Sequence, residues 1–202
     1  MLVRACLQSR GHPPGFAHPR PAPYLCNATV RLHGMLRTDL GDGVRLRPFR
    51  AADADELQAL IESNRDMLRP WLPWAEQDLE GTREYLHDVN ADPRDVQTAI
   101  TVDGAIAGAI GITYPKGVAS VGYWLAAEHQ GRGIVARALQ AYLAHAFDDL
   151  HLARVELRAA TNNTRSRAVA ERAGFTTIRT IPDAAVVAGR SVDHVVYERR
   201  QV

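Results

Sequence analysis

Two short polar runs in this chain carry residue types that chemistry could use. The first is Gln130-Gly131-Arg132-Gly133, directly ahead of a stretch in which Ile134, Ala138, Leu139, Tyr142, Leu143 and Phe147 recur at helical spacing. Glycines let the backbone turn tightly and leave peptide amides uncovered by side chains. At a helix N-terminus those amides and the macrodipole favour an anion, and a pyrophosphate is a natural ligand for such a nest. Taken alone, the two glycines fit a bare turn before a helix equally well. The second run is Thr161-Asn162-Asn163-Thr164-Arg165-Ser166, at the start of another helical pattern that ends at Ala173-Gly174. A serine hydroxyl there can donate a proton, although Asn and Ser near a helix start are also ordinary caps.

Other phosphate-binding solutions fit poorly. A P-loop would close on Gly-Lys-Ser/Thr, and none does. A dinucleotide fingerprint needs a third glycine, where this chain has Ala136. The 24 Lys and Arg balance 23 Asp and Glu, with no basic face dense enough to expect a nucleic-acid partner. No run approaches the ~20 apolar residues of a spanning helix, so no membrane role is expected. Cys6 and Cys26 both precede Met35, which leaves residues 35–202 without a thiolate nucleophile or zinc ligand. His87, His129, His145, His151 and His194 show no paired metal spacing, and no metal is expected.

The elements that must position these runs can be read from periodicity. Val44–Phe49 alternates as a strand does, and Asp53-x-x-Glu56 reads as a capping box opening a helix through Leu57, Leu60 and Ile61. Met67–Trp74 is broken by Pro70 and Pro73 into an irregular aromatic segment, either a plug on the core or the lip of a pocket. A helix follows over Gly81–Val89. Val96–Val102 and Ala105–Thr113 flank an Asp103-Gly104 hairpin signal, and Val118–Leu125 completes a three-strand meander. After the long helix (Gly133–Leu150) come a strand over Arg154–Ala160 and a helix over Thr164–Ala173. Thr176–Ile181 and Ser191–Arg199 form a last strand pair, turning at Ala188-Gly189-Arg190. The fold class is therefore α/β: a mixed, mostly antiparallel sheet of about seven strands with helices on both faces. Residues 1–34, rich in proline and arginine and free of acid, are expected to be an unstructured extension or to lie upstream of a start at Met35. An anionic-surface or targeting segment is a third reading of that composition.

In this order and spacing the motifs resemble a family. Trp124-Leu125, then Gln130-Gly131-Arg132-Gly133-Ile134, is similar to the acyl-CoA signature of the GNAT acetyltransferase superfamily. Asn163-x-x-Ser166 with Gly174-Phe175, Arg47-Pro48 and Trp71-Leu72-Pro73-Trp74 resemble its RimJ/RimL-type branch, and the likeness runs from about Val44 to the C-terminus. The resemblance implies a GNAT fold whose sheet splays between the strand ending at Leu125 and the one at Val155–Ala160. It implies acetyl-CoA as cosubstrate, its pyrophosphate held by the backbone of Gln130, Gly131, Arg132, Gly133, Ile134, Val135 and Ala136. The pantetheine arm would lie along Trp124 and Leu125 and against Asn163, with Ser166 as proton donor to the leaving thiolate. Two positions depart from the pattern. Val135 stands where Gly or Ala is usual, and Ala184-Ala185 with Asp183 occupy the segment after Gly-Phe where relatives often carry an acid.

The implied chemistry is direct acetylation of a primary amine, either a protein N-terminus or a small molecule, and it needs no covalent enzyme intermediate. Trp71 and Trp74 are expected to wall the acceptor site. Glu76, Asp183 and Glu128 are the candidate bases, each of which also reads as a solvated surface charge. A cytoplasmic enzyme, often dimeric in relatives, is the expectation; a non-catalytic acetyl-CoA-binding regulatory module is the alternative.

Overall fold

The computed structural model describes residues 37–89, 95–114 and 118–201. The expected extension over 1–34 lies outside them. Eight strands form one sheet: β1 (Thr38–Gly41), β2 (Val44–Pro48), β3 (Asp95–Val102), β4 (Ala105–Thr113), β5 (Ala119–Leu125), β6 (Arg154–Ala160), β7 (Thr176–Val187) and β8 (Arg190–Arg200). Their order is β1-β2-β3-β4-β5-β6-β8-β7. The helices are α1 (Ala54–Ser63), α2 (Arg65–Leu68), α3 (Leu79–Asp88), α4 (Ile134–Ala144) and α5 (Thr164–Arg172).

Seven of these strands match the sequence reading and one does not. The eighth, β1, folds back on β2 through Asp42-Gly43, both at positive φ, and pairs Thr38 with Leu46. Arg137 on α4 holds this hairpin by donating to the Leu40 carbonyl at 3.0 Å and to Asp42 at 2.7 Å. A second correction concerns Asp53. Its carboxylate does not cap α1; it takes both Arg47 nitrogens at 2.6 and 3.1 Å and the Arg50 amide at 2.8 Å. Glu56, its supposed partner, accepts the Ile106 amide at 2.6 Å and so ties α1 to the sheet. The segment after Gly174-Phe175 is the third correction: β7 continues through it to Val187, bulged between Ile181 and Ala185.

Strand alternation sends side chains to two separate cores. Val121 and Leu125 of β5, Val155, Leu157 and Ala159 of β6, and the buried stripe of α4 pack together with Ala170, Ala173 and Phe175. Trp124 of β5, Ala99 of β3 and Ala109 of β4 face the opposite way, under Leu57, Ile61, Leu68, Tyr85 and Leu86 of α1–α3. Tyr142 locks α4 to the first face: its hydroxyl donates to the Ile110 carbonyl at 3.0 Å and lies 2.9 Å from the Thr98 hydroxyl. α4 runs on into a π-helical turn over His145–Asp149, where His145 lies 2.6 Å from the Asp149 carboxylate.

Arg47 and Asp53 form an ion pair with side chains only 18% and 8% exposed. Removing one partner strands the other charge out of water. Asp53→Ala should therefore lower unfolding free energy by about 3 kcal/mol in urea titrations, and a loss under 1 kcal/mol would show that Arg47 finds solvent instead.

Candidate active site

The centre of the sheet contains a seam. Every neighbouring pair is antiparallel except β5 and β6, which run parallel and pair only at Ala119–Val155, Ser120–Glu156 and Val121–Leu157. Beyond Val121 each strand stays with its other neighbour. β5 remains on β4 to Leu125, and β6 remains on β8 to Ala160. Gly108 keeps β5 close to β4 at that end, because a Cβ there would meet the Trp124 carbonyl oxygen at 2.3 Å. The widening is thus confined to Gly122–Leu125 opposite Arg158–Ala160. Peptide groups facing that gap have no strand to pair with and can receive an extended ligand arm.

The glycine loop stands after the β5 end of the gap. Gly131 and Gly133 are at φ +77° and +69°, and the position of a Cβ on either has no protein atom within 4 Å. The first intrahelical bond of α4 runs from the Arg137 amide to the Gly133 carbonyl at 3.1 Å, so the amides of Ile134, Val135 and Ala136 precede the ladder. Gly133 is the N-cap and supplies no side chain to those amides. An open, uncapped helix start of this kind suits a pyrophosphate. The Val135 side chain packs against the first core, which accounts for its tolerance at a position usually held by a smaller residue.

Gln130 braces this loop with its side chain. Its Nε2 donates to the Leu125 carbonyl at 3.1 Å and approaches the Met67 sulfur at 3.5 Å, while its Oε1 accepts Arg165 at 2.9 Å. Asn64 adds a tie from the α1–α2 corner by accepting the Ala127 amide at 2.9 Å. The Gln130 backbone amide donates to the Ala127 carbonyl at 3.2 Å, so the amides left for an anion begin at Gly131. Arg132 is exposed and lies 3.3 Å from the His129 ring.

Asn163 and Ser166 come together at the start of α5. Asn163 Oδ1 accepts the Ser166 amide at 3.0 Å, which is an N-cap and leaves the Asn163 amide nitrogen for other contacts. Sequence reading missed the third member of this group. The Tyr123 hydroxyl on β5 lies 3.1 Å from the Ser166 hydroxyl and donates to the Ser166 carbonyl at 3.3 Å. Burial pushes the Tyr123 hydroxyl up to about 12, with the Ser166 hydrogen bond and Arg172 acting the other way. Tyr123 therefore keeps its proton across the neutral range. The only sequence signal for it was its place two residues after Val121 on the strand already assigned to the cofactor.

On the opposite face, Trp74 and Trp124 are both buried, with ring centroids 5.8 Å apart. Trp74 thus belongs to the core, and Trp71, half-buried, is the indole with surface left to present. The three suggested bases are all exposed. Glu76 stands at the end of a 3₁₀ turn, Glu128 pairs with His129 at 3.4 Å, and Asp183 accepts the Ser191 hydroxyl. Among the described residues no group of three or more His, Cys, Asp and Glu is placed to hold a metal ion.

Gly133→Asp sets bulk and negative charge over the uncapped amides. It should weaken acetyl-CoA binding at least about tenfold, roughly 1.4 kcal/mol, in calorimetry on a folded variant; unchanged affinity would remove the loop from the site.

Comparison with known proteins places this architecture. Residues 44–176 match the model of the acetyltransferase (GNAT) domain. YdaF of Bacillus subtilis (strain 168), provisionally named a ribosomal N-acetyltransferase, is 32% identical over 172 residues, covering 81% of this chain and 94% of its own. A crystal structure described as a probable acetyltransferase superposes with TM-score 0.77 at 32% identity, over 83% of this chain and 98% of that one. Mycobacterium smegmatis RimJ in complex with CoA-disulfide gives TM-score 0.71 at 28% identity, over 78% and 81%. The parallel seam, the open glycine loop ahead of α4 and these matches agree: the chain belongs to the GNAT acetyltransferase family, on its RimJ/RimL-like side, and is an acetyl-CoA-dependent N-acetyltransferase.

Proposed function

We propose that this protein acetylates the α-amino group of a protein N-terminus, with acetyl-CoA seated in the β5–β6 seam. The observation that carries this reading is the confinement of the gap to Gly122–Leu125 against Arg158–Ala160, between the loop of α4 and the start of α5. Bound there, the thioester supplies an activated acyl group. The chain's own residues do the rest. The backbone of Gly131–Ala136 holds the pyrophosphate by its uncovered amides, with Gln130 bracing the loop and Arg132 at the rim. The edge of β5 at Trp124 and Leu125, together with the Asn163 amide nitrogen, orients the arm. Backbone amide of β5 in the gap is the donor available to a carbonyl oxygen acquiring charge.

Ser166 is the proton donor to the departing sulfur in this reading, and Tyr123 sets the direction of its hydroxyl. A neutral Tyr123 donating to the Ser166 carbonyl leaves its oxygen lone pair facing the Ser166 hydroxyl, which fixes where that hydroxyl rests before it turns to the sulfur. A protein acceptor is favoured over a small amine by the names of the relatives, YdaF above all. Trp71 then borders the acceptor, with Trp74 behind it as support. The regulatory-module alternative has no comparable support, since the relatives are named as acetyltransferases and Ser166 keeps a hydroxyl partner. Residues 35–202 form the catalytic domain in this reading, and 1–34 lie outside it. A cytoplasmic homodimer completes the proposal; sedimentation equilibrium should return twice the chain mass. Among the described residues no helix is long and apolar enough to cross a membrane.

The test is release of CoA thiol from acetyl-CoA with serine- and alanine-initiated peptides and with small amines. Turnover restricted to peptides supports the proposal, and turnover restricted to small amines overturns it. Ser166→Ala should reduce kcat on the order of a hundredfold while acetyl-CoA affinity changes less than about threefold. Tyr123→Phe should cost a smaller fraction of kcat. A Ser166→Ala variant that loses affinity but not kcat would make the hydroxyl a binding contact.

A further inference from the structure

Glu156 occupies a place that the acetyl-transfer reading leaves unused. It lies on β6 directly beside Ser120 in the parallel register, one residue before the last pair of the seam, so it sits at the root of the gap. Its neighbours Val155 and Leu157 point into the core under α4 and α5. Alternation therefore turns Glu156 to the opposite face, the one that carries Trp124 and α1–α3. Ser166 and Tyr123 flank the gap from the α5 side and Glu156 from the other.

The surroundings of Glu156 differ from those of the other sheet carboxylates. Its side chain is only 7% exposed, yet its contacts with Arg158 and Arg179 are long, at 3.5 and 3.6 Å. No hydrogen bond to either of its oxygens is formed among the described residues. Glu198, its antiparallel neighbour on β8, is by contrast held at 2.6 Å by Arg200 and accepts Arg154 at 3.3 Å. The same face also holds buried polar atoms without a protein partner, namely Thr113 Oγ1, Arg158 Nε and His194 Nδ1. Thr113, Ser120 and Glu156 are successive members of one cross-strand row. This stretch of the sheet is thus built for polar traffic and is not sealed by hydrocarbon. A carboxylate that is held near the root by two cations, but not hydrogen-bonded, keeps lone pairs free for an incoming N–H.

We infer that Glu156 is the general base of the reaction, accepting a proton from the acceptor ammonium directly or through one water in the Thr113–Ser120 row. The balance is simple. The ammonium gives one proton to the Glu156 carboxylate, and the freed lone pair forms the C–N bond as the C–S bond breaks. The sulfur takes its proton from the Ser166 hydroxyl. Nitrogen sheds a second proton, which restores Ser166 by way of solvent, while the proton on Glu156 leaves to water. Products are the amide, free CoA thiol and one released proton. The segment after Gly174-Phe175, where relatives often carry an acid, is strand here, and its one carboxylate, Asp183, is exposed and takes the Ser191 hydroxyl. Glu76, Glu128 and Asp183 are surface charges, as described above.

This inference rests on the seam being the acetyl-transfer site, and the experiment separates the two. Wild-type protein and Glu156→Gln are compared for acetyl-CoA affinity by calorimetry, and for kcat/KM with two acceptors: a serine-initiated peptide amide, protonated at the assay pH, and hydroxylamine, already largely neutral. The expected result is unchanged affinity, a loss on the order of a hundredfold with the peptide, and a loss under about tenfold with hydroxylamine. Equal losses with both acceptors, or no loss with the peptide, overturn the base assignment. Failure of the wild-type protein to bind acetyl-CoA or to acetylate the peptide would overturn the functional reading instead. Glu156→Asp preserves the charge facing Arg158 and Arg179 and guards against misfolding of the Gln variant. It should fold, bind acetyl-CoA normally and lose at least about tenfold with the peptide; full activity in it overturns the proposal.

Discussion

Two parallel strands that pair for three residues and then separate are the constraint on which this site depends. A sheet normally satisfies its peptide groups strand by strand, and a gap inside one is costly unless both flanking strands are held elsewhere. Here they are: β5 is fastened to β4 from Ser120 to Leu125, and β6 to β8 from Arg154 to Ala160. The parallel join also requires a long crossover between the two strands, and α4 is that crossover. Its N-terminus must start near the end of β5, which is where an uncapped helix start meets the mouth of the gap. Uncapped helix start and cleft are therefore consequences of one connection.

Alternation then divides the labour. Residues of β5 and β6 with odd numbers meet α4 and α5, and those with even numbers turn to the other face, where Trp124 meets α1–α3. Tyr123 belongs to the first set and reaches Ser166. Glu156 belongs to the second and does not. The Tyr123–Ser166 hydroxyls and the Glu156 carboxylate are thus kept on opposite faces of the sheet with no helix needed to separate them. The same parity places Trp124 under α1–α3, where it buries its ring against Trp74.

Much of this is legible in the sequence. The apolar stripe of α4, the Asp103-Gly104 hairpin and the two polar runs are local patterns, and local patterns survive folding. The misses have physical reasons. Asp42-Gly43 carried the same turn signal as Asp103-Gly104, but the strand before it is only four residues long, too short for alternation to register. Asp53 had the spacing of a capping box, yet its carboxylate takes a bidentate Arg47 and the preceding Arg50 amide, which leaves nothing for the first amides of α1. Trp74 looked like a pocket wall because two prolines break its segment; the packing that buries it comes from β5, fifty residues away. Tyr123 and Glu156 acquire meaning only from register across the seam, which no spacing within one strand encodes.

The meander also has a kinetic consequence. β1–β2 and β3–β4–β5 assemble through short turns, β2 joins β3 across α1–α3 with five pairs to reward that closure, and β7 and β8 close through the two-residue Ala188-Gly189 turn. The β5–β6 join gains least from its closure, because a loop spanning all of α4 is closed for only three pairs. Two half-sheets can therefore be nearly complete while their junction is still open. The gap is then the last piece of architecture to be finished, and a chain that stalls late in folding would carry well-formed halves around an unjoined seam.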